Sequence, residues 1–164
     1  MNETITKGIV TVCKQCFREQ DLDVLGEHTE EDRTVFYARG RLDPIFSNIS
    51  CMCDPSHELV ELSMVSRDSF AEETMASLLE LMNLINIGEI TATWSITPYR
   101  NVELRSAIAV NPDTLDKAQL RESLKRFMGC ATRVYPAIVD QTTGEKSPQD
   151  TMDQLVEQNR DFFI

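Results

Sequence analysis

Histidine is almost missing from this chain: His28 and His57 are the two in 164 residues, and both fall among turn-forming neighbours. An activated nucleophile needs a base within hydrogen-bond reach and a third group to orient it. No Gly-x-Ser-x-Gly elbow is present to hold such a nucleophile. Neither Gly-x-x-x-x-Gly-Lys-Ser/Thr nor Gly-x-Gly-x-x-Gly occurs, so a backbone cradle for phosphates is missing too. These absences point away from an enzyme. Basic residues are also scarce, with 16 Lys and Arg against 27 Asp and Glu and a net charge of −11. Such a chain repels polyanions at long range, so no nucleic-acid partner is expected. The same charge weakens adsorption to anionic membranes.

Long apolar runs are lacking as well. The richest stretch, residues 78–87, is broken by Glu80, Asn83 and Asn86, far short of the roughly 18 apolar residues a bilayer span requires. No membrane insertion is expected. The opening residues show no basic segment followed by an apolar one, the pattern of a secretory signal. A cytoplasmic location is therefore expected, where thiols stay reduced. The odd count of five cysteines argues against a closed disulfide framework.

What is present suits one globular domain: 41% hydrophobic and 26% charged residues in a chain long enough to bury a core without staples. Ile5, Ile9, Val12, Cys13, Cys16 and Phe17 form one helical stripe. Residues 19–32 hold seven acids and no Lys or Arg, with Leu22, Val24 and Gly26 alternating in a short exposed strand. The Thr29 to Asp32 cluster reads as a turn. Alternation then predicts strands over 34–42, 45–53 and 58–65, joined by turns at Asp43-Pro44 and Asp54-Pro55-Ser56. Short connections imply antiparallel pairing.

A second helix is predicted to start at Asp68 or Ser69, with Ser69-x-x-Glu72 as a capping box. Its expected core face is Ala71, Met75, Leu78, Leu79, Met82 and Ile85, and Gly88 is a natural stop. Ile90, Ala92, Trp94 and Ile96 alternate with Thr91, Thr93, Ser95 and Thr97. After a turn at 98–101, Val102, Leu104, Ile108 and Val110 share a side, which makes a hairpin with one wet face. Asp113 or Thr114 can cap a third helix whose buried face is Leu120, Leu124, Phe127, Ala131, Val134 and Ile138. Pro136 should kink or end it. Residues 140–149 have linker composition, and Met152, Leu155, Val156, Phe162 and Phe163 allow a short terminal helix. The expected class is α+β, an antiparallel sheet in the order α-β(3–4)-α-β-β-α, with residues 1–140 as a single domain and 141–164 as linker and amphipathic C-terminal tail.

Three short features accompany this order. Asn83-x-x-Asn86 ends the second helix, the hairpin runs from 90 to 110, and a small-residue segment with Tyr135-Pro136 occupies 131–138. Together they resemble the YbjN family, which shares its fold with the chaperones of type III secretion. The resemblance implies a bacterial, homodimeric, non-enzymatic domain. Relatives of this kind are described as sensory-transduction or stress regulators, and the chaperones hold an extended client segment on their surface. It implies no catalytic residue and no cofactor. The cysteine pairs and the acidic run stand outside it.

Four places invite a functional reading. Cys13-x-x-Cys16 and Cys51-x-Cys53 could bring four thiolates together as a zinc or redox sensor. All four also lie on buried-side positions, where free cysteine ordinarily acts as a small hydrophobe; that is the expectation, and no metal ligand is assigned. Lys117, Arg121 and Lys125 form a basic stripe, either a partner face or a solvated face paired with Glu122 and the acidic run. Leu81 and Leu84 widen the apolar arc of the second helix and suggest a dimer interface. The Thr91, Thr93, Ser95 and Thr97 face could receive a partner strand, and is more simply the wet side of a sheet. The resulting expectation is a dimeric protein-binding domain whose client docks by strand addition or as an amphipathic helix.

Overall fold

A computed structural model describes residues 3–31, 33–40, 46–88, 92–111, 116–161 and 163. The element order is α1 (Glu3–Arg18), β1 (Asp23–Glu30), β2 (Arg33–Arg39), β3 (Phe46–Asp54), β4 (Leu59–Ser69), α2 (Met75–Gly88), β5 (Thr93–Ile96), β6 (Asn101–Ala109), α3 (Lys117–Gln141) and α4 (Pro148–Gln158). The class is α+β, as expected: one six-stranded antiparallel sheet in the order β1-β2-β3-β4-β6-β5, with four helices. Leu42, Asp43, Pro44, Ile45, Ile90, Thr91, Asp113 and Thr114, on which turns, strand ends and a cap were expected, lie outside the described residues, as do Asp32 and Phe162. The cap of α3 is not Asp113 or Thr114 but Asp116, whose carboxylate accepts from the Ala118 N–H at 2.7 Å.

The alternation of the strands dictates the layers. Ala38, Ile49, Met64, Leu104 and Trp94 stand in register across five strands, and all are buried. The next row, Phe36, Cys51 and Leu62, is buried on the same face. The intervening positions, among them Tyr37, Ser50, Glu61 and Arg105, make the opposite and wetter face. α1 packs against β1, β2, β3 and α3, while α2 packs against β5, α3 and α4. All six residues expected on the buried face of the third helix are buried on α3.

Several expectations are corrected. His28, Thr29 and Glu30, expected in turns, belong to β1 and pair with Val35, Thr34 and Arg33 of β2. Ser69 does not cap a helix: it ends β4, paired with Asn101, and the Phe70 N–H donates to the Arg100 carbonyl at 2.9 Å. Sheet pairing thus outcompetes the local capping box. The chain then makes a 3-10 turn at Glu72–Thr74, whose N-cap Ala71 gives no side-chain cap, before α2 begins. Of the two outcomes expected at Pro136, a kink or an end, the second does not occur: α3 continues to Gln141. Pro136 and Thr132, whose carbonyl loses its partner to the ring, both lie on the exposed face, open to solvent.

The segment after α3 folds back. Ser147 caps α4 by accepting from the Asp150 N–H, and Met152 and Leu155 join the core. Buried Thr151 donates to the Gln141 side-chain carbonyl at 2.7 Å, and the Gln141 amide donates to the Lys146 carbonyl at 3.1 Å. Among the described residues no helix is long and apolar enough to cross a membrane.

Candidate functional site

α2 has one ionisable residue, Glu80, in fourteen. Leu78, Leu81, Met82 and Ile85 face inward, with Leu81 fully buried. Leu84 is half-buried against the same core. The expected surface strip of Leu81 and Leu84 is therefore rotated: Leu79, expected in the core, is 49% exposed, and Ile87 is 81% exposed. The cause is contact on several flanks. α4 and α3 as well as β5 pack on α2, so its buried arc takes in Leu81 and turns Leu79 out. Leu79, Asn83 and Ile87 recur every fourth residue along the outer side, all exposed.

The basic stripe meets the acidic run. Lys117 donates to Glu19 at 2.5 Å, and Arg121 approaches the other Glu19 oxygen at 4.0 Å. The Lys117 hydrogen bond holds the Glu19 carboxyl below its usual range. Arg126 pairs with Glu122 one turn away at 3.4 Å. Lys125 is exposed. Lys117 and Arg121 thus fasten the end of α1 to the start of α3.

The two sheet edges differ. β5 turns the outer backbone groups of Trp94 toward α2, where Asn86 meets both: the Trp94 N–H donates to Asn86 Oδ1 at 2.8 Å, and Asn86 Nδ2 donates to the Trp94 carbonyl at 2.9 Å. One side-chain amide thereby stands in for a neighbouring strand. β1, at the other edge, has β2 on one side only. Apart from half-buried Val24 its residues are exposed, and Asp23, Glu27 and Glu30 give it an acidic character.

Asp54, Ser56 and His57 meet in a 3-10 turn, yet not as a catalytic relay. Ser56 Oγ donates to Asp54 Oδ1 at 2.5 Å, and His57 Nδ1 meets Asp54 Oδ2 at 2.9 Å. Ser56 also lies 3.3 Å from that same ring nitrogen. In a relay, acid and nucleophile occupy opposite nitrogens of the imidazole; here they crowd one. Arg33 completes the ring of donors at 2.6 Å. Burial pushes the Asp54 carboxyl up, but the hydrogen bonds from Ser56, His57 and Arg33 outweigh it and hold the group well below the usual carboxylate range. The turn is a structural cap.

The cysteines separate into groups. Ile9, Cys13, Cys16 and Phe17 set the buried stripe of α1, and alternation puts Cys51 and Cys53 on the helix-facing side of β3. The sulfur atoms of Cys13, Cys51 and Cys53 all lie within 4.8 Å of one another, with Cys13 and Cys53 at 3.8 Å. Cys16 turns away, its Sγ 3.7 Å from the Lys117 carbonyl, so the four-thiol grouping becomes three. All five cysteines are buried. Burial raises the Cys51 thiol. The thiols of Cys13 and Cys51 pull Cys53 down against its own burial, and the Lys14 ammonium adds to the pull.

Two open grooves of about 440 and 520 Å³ border β6 with α3 and the end of α1 with β1. A third groove of about 430 Å³ at the β1–β2 end is lined by His28, Glu30 and Arg33 among others. No family model, curated protein or solved structure matches the chain.

Proposed function

We propose that this chain is a non-enzymatic, cytoplasmic protein-binding domain that works as a homodimer. It would act as a regulator or chaperone-like module of the kind the YbjN resemblance implies. The observation that carries the reading is the outer side of α2. A surface helix ordinarily shows a charged face to water, and one that is apolar all round is normally covered. α2 is covered on one side only, leaving Leu79 and Ile87 outside.

A second copy of the chain is the occupant that fits. With a net charge of −11, two copies repel wherever carboxylates meet, and α2 brings a single one, Glu80, to the contact. The client is an extended segment added to β1, since Asn86 already satisfies the outer groups of Trp94 on β5. The acids along β1 favour a client bearing Lys or Arg.

Sedimentation of wild type beside the double variant Leu79→Glu, Ile87→Glu tests the reading. The wild type should sediment as a dimer and the variant as a monomer. A monomeric wild type, or a variant that stays dimeric, sinks the proposal. In parallel, a labelled extended Lys-rich peptide should bind with an affinity that falls as salt rises, and an Asp-rich peptide should not bind.

A further inference from the structure

We propose that Cys13, Cys51 and Cys53 form a three-coordinate thiolate site for one soft monovalent cation, copper(I). The three sulfur atoms come from two elements far apart in sequence and converge on one point. At a metal–sulfur distance of about 2.3 Å, planar trigonal ligands stand about 4.0 Å apart and tetrahedral ones about 3.8 Å apart. The observed separations, 3.8 Å for Cys13 and Cys53 and at most 4.8 Å for the others, need little adjustment to close on an ion. Strand geometry fixes Cys51 and Cys53, and a helix fixes Cys13, so the site rests on rigid elements.

The ligand set selects the ion. Among the described residues no fourth His, Cys, Asp or Glu joins the group, and the one sequence candidate, Cys16, is directed at the Lys117 carbonyl. Zinc in a closed structural site takes four ligands; thiolates suit copper(I) and zinc alike, so it is the count of three that favours copper(I). Lys14 supplies a neighbouring positive charge beside Cys13, held by its ion pair to Glu27 on β1. Binding involves no change of oxidation state: one cation and three thiols give a tris-thiolate complex and three protons, which pass to solvent. Cys51 and Cys53 are fully buried and Cys13 nearly so. The ion therefore enters as α1 lifts from the sheet or as the chain folds, and refolding in copper(I) should load the protein faster than adding it to the native state.

The experiment is anaerobic titration of the full chain with copper(I) against a chromophoric chelator. One equivalent should be retained, with an ultraviolet thiolate charge-transfer band and three sulfur scatterers by X-ray absorption. Cys13→Ser, Cys51→Ser and Cys53→Ser should each weaken retention by at least about 10-fold, the lower end of the scale seen when a metal's supporting groups are removed, while Cys16→Ser retains the ion. Because a serine in the core can unfold the chain, a second readout uses wild type alone: copper(I) should raise its melting temperature, as a ligand of the native state does. Failure of wild type to hold copper(I) overturns the site. So does stoichiometric zinc that is lost in Cys16→Ser, since that would place the fourth ligand back in the group. The α2 reading does not depend on the outcome, because none of these residues lies on that helix.

Discussion

The Asn86 side chain hydrogen-bonds both backbone groups of Trp94, one with its oxygen at 2.8 Å and one with its nitrogen at 2.9 Å. This pairing fixes the end of α2 against β5 and covers the Trp94 position of that sheet edge. Replacing Asn86 by Ala leaves the N–H and carbonyl of Trp94 without partners, which should cost about 1–3 kcal/mol. Asn83→Ala, on the exposed side of the same helix, should shift stability by no more than about 0.5 kcal/mol. Chemical denaturation of both variants checks the contrast, and light scattering should show self-association through the opened edge of Asn86→Ala alone.

The two leucines of α2 make a second contrast. Leu81→Ala empties a fully buried site and should destabilise by about 2–5 kcal/mol. Leu79→Ala removes a half-exposed side chain and should change the chain's own stability little while weakening the self-association proposed above. Thermal melts and sedimentation on the same two variants separate packing from association.

Asp54 gives a pH prediction. Its carboxyl is held low in the folded chain, beneath an unfolded value near 4. Its contribution to stability is therefore complete above that unfolded value and is lost as pH falls toward the folded one. Asp54→Asn should be less stable than wild type by about 1–2 kcal/mol at neutral pH, the scale of a lost cap. The gap should narrow as the pH is taken from about 5 downward. Urea midpoints across that range measure it, and a gap that widens on acidification would contradict the assignment.

The Thr151 to Gln141 hydrogen bond ties α4 to the end of α3. Thr151→Val keeps the volume and leaves a buried acceptor on Gln141, at a cost of about 1–3 kcal/mol. Hydrogen exchange should then quicken along α4 ahead of the sheet. Equal acceleration everywhere would show that α4 and the sheet open as one unit.

Much of this architecture is legible in the residue pattern because it is local. The alternation around Trp94 and the alternating four- and three-residue steps from Leu120 to Ile138 each encode one face of one element. The misreadings arise where a distant partner decides. Ser69 and Glu72 fit a helix cap until Asn101 arrives to pair with Ser69. Leu79 and Leu81 exchange roles because α4, whose docking no local pattern reveals, packs onto α2. The cysteine spacings show which sides of α1 and β3 carry thiols. They do not show the helix-on-sheet register that admits Cys13 and leaves Cys16 at α3. The duty of Asn86 had one signal available: a polar side chain one turn from the end of an apolar helix, just ahead of an edge strand.

The strand order has a consequence for how the chain assembles. β1 to β4 form a ribbon whose neighbours are consecutive in sequence, and β5 with β6 form another. A single seam, β4 against β6, joins them, and its shortest closure runs from Ser69 to Asn101 around the whole of α2. Local ribbons form with little loop entropy, while the seam must wait for that longer closure. The rate of folding should therefore answer to changes along the seam, at Leu62 or Met64, more than to changes at β1. A chain cut between α2 and β5 would yield two fragments, each with its own hairpin, able to find one another by zipping β6 onto β4.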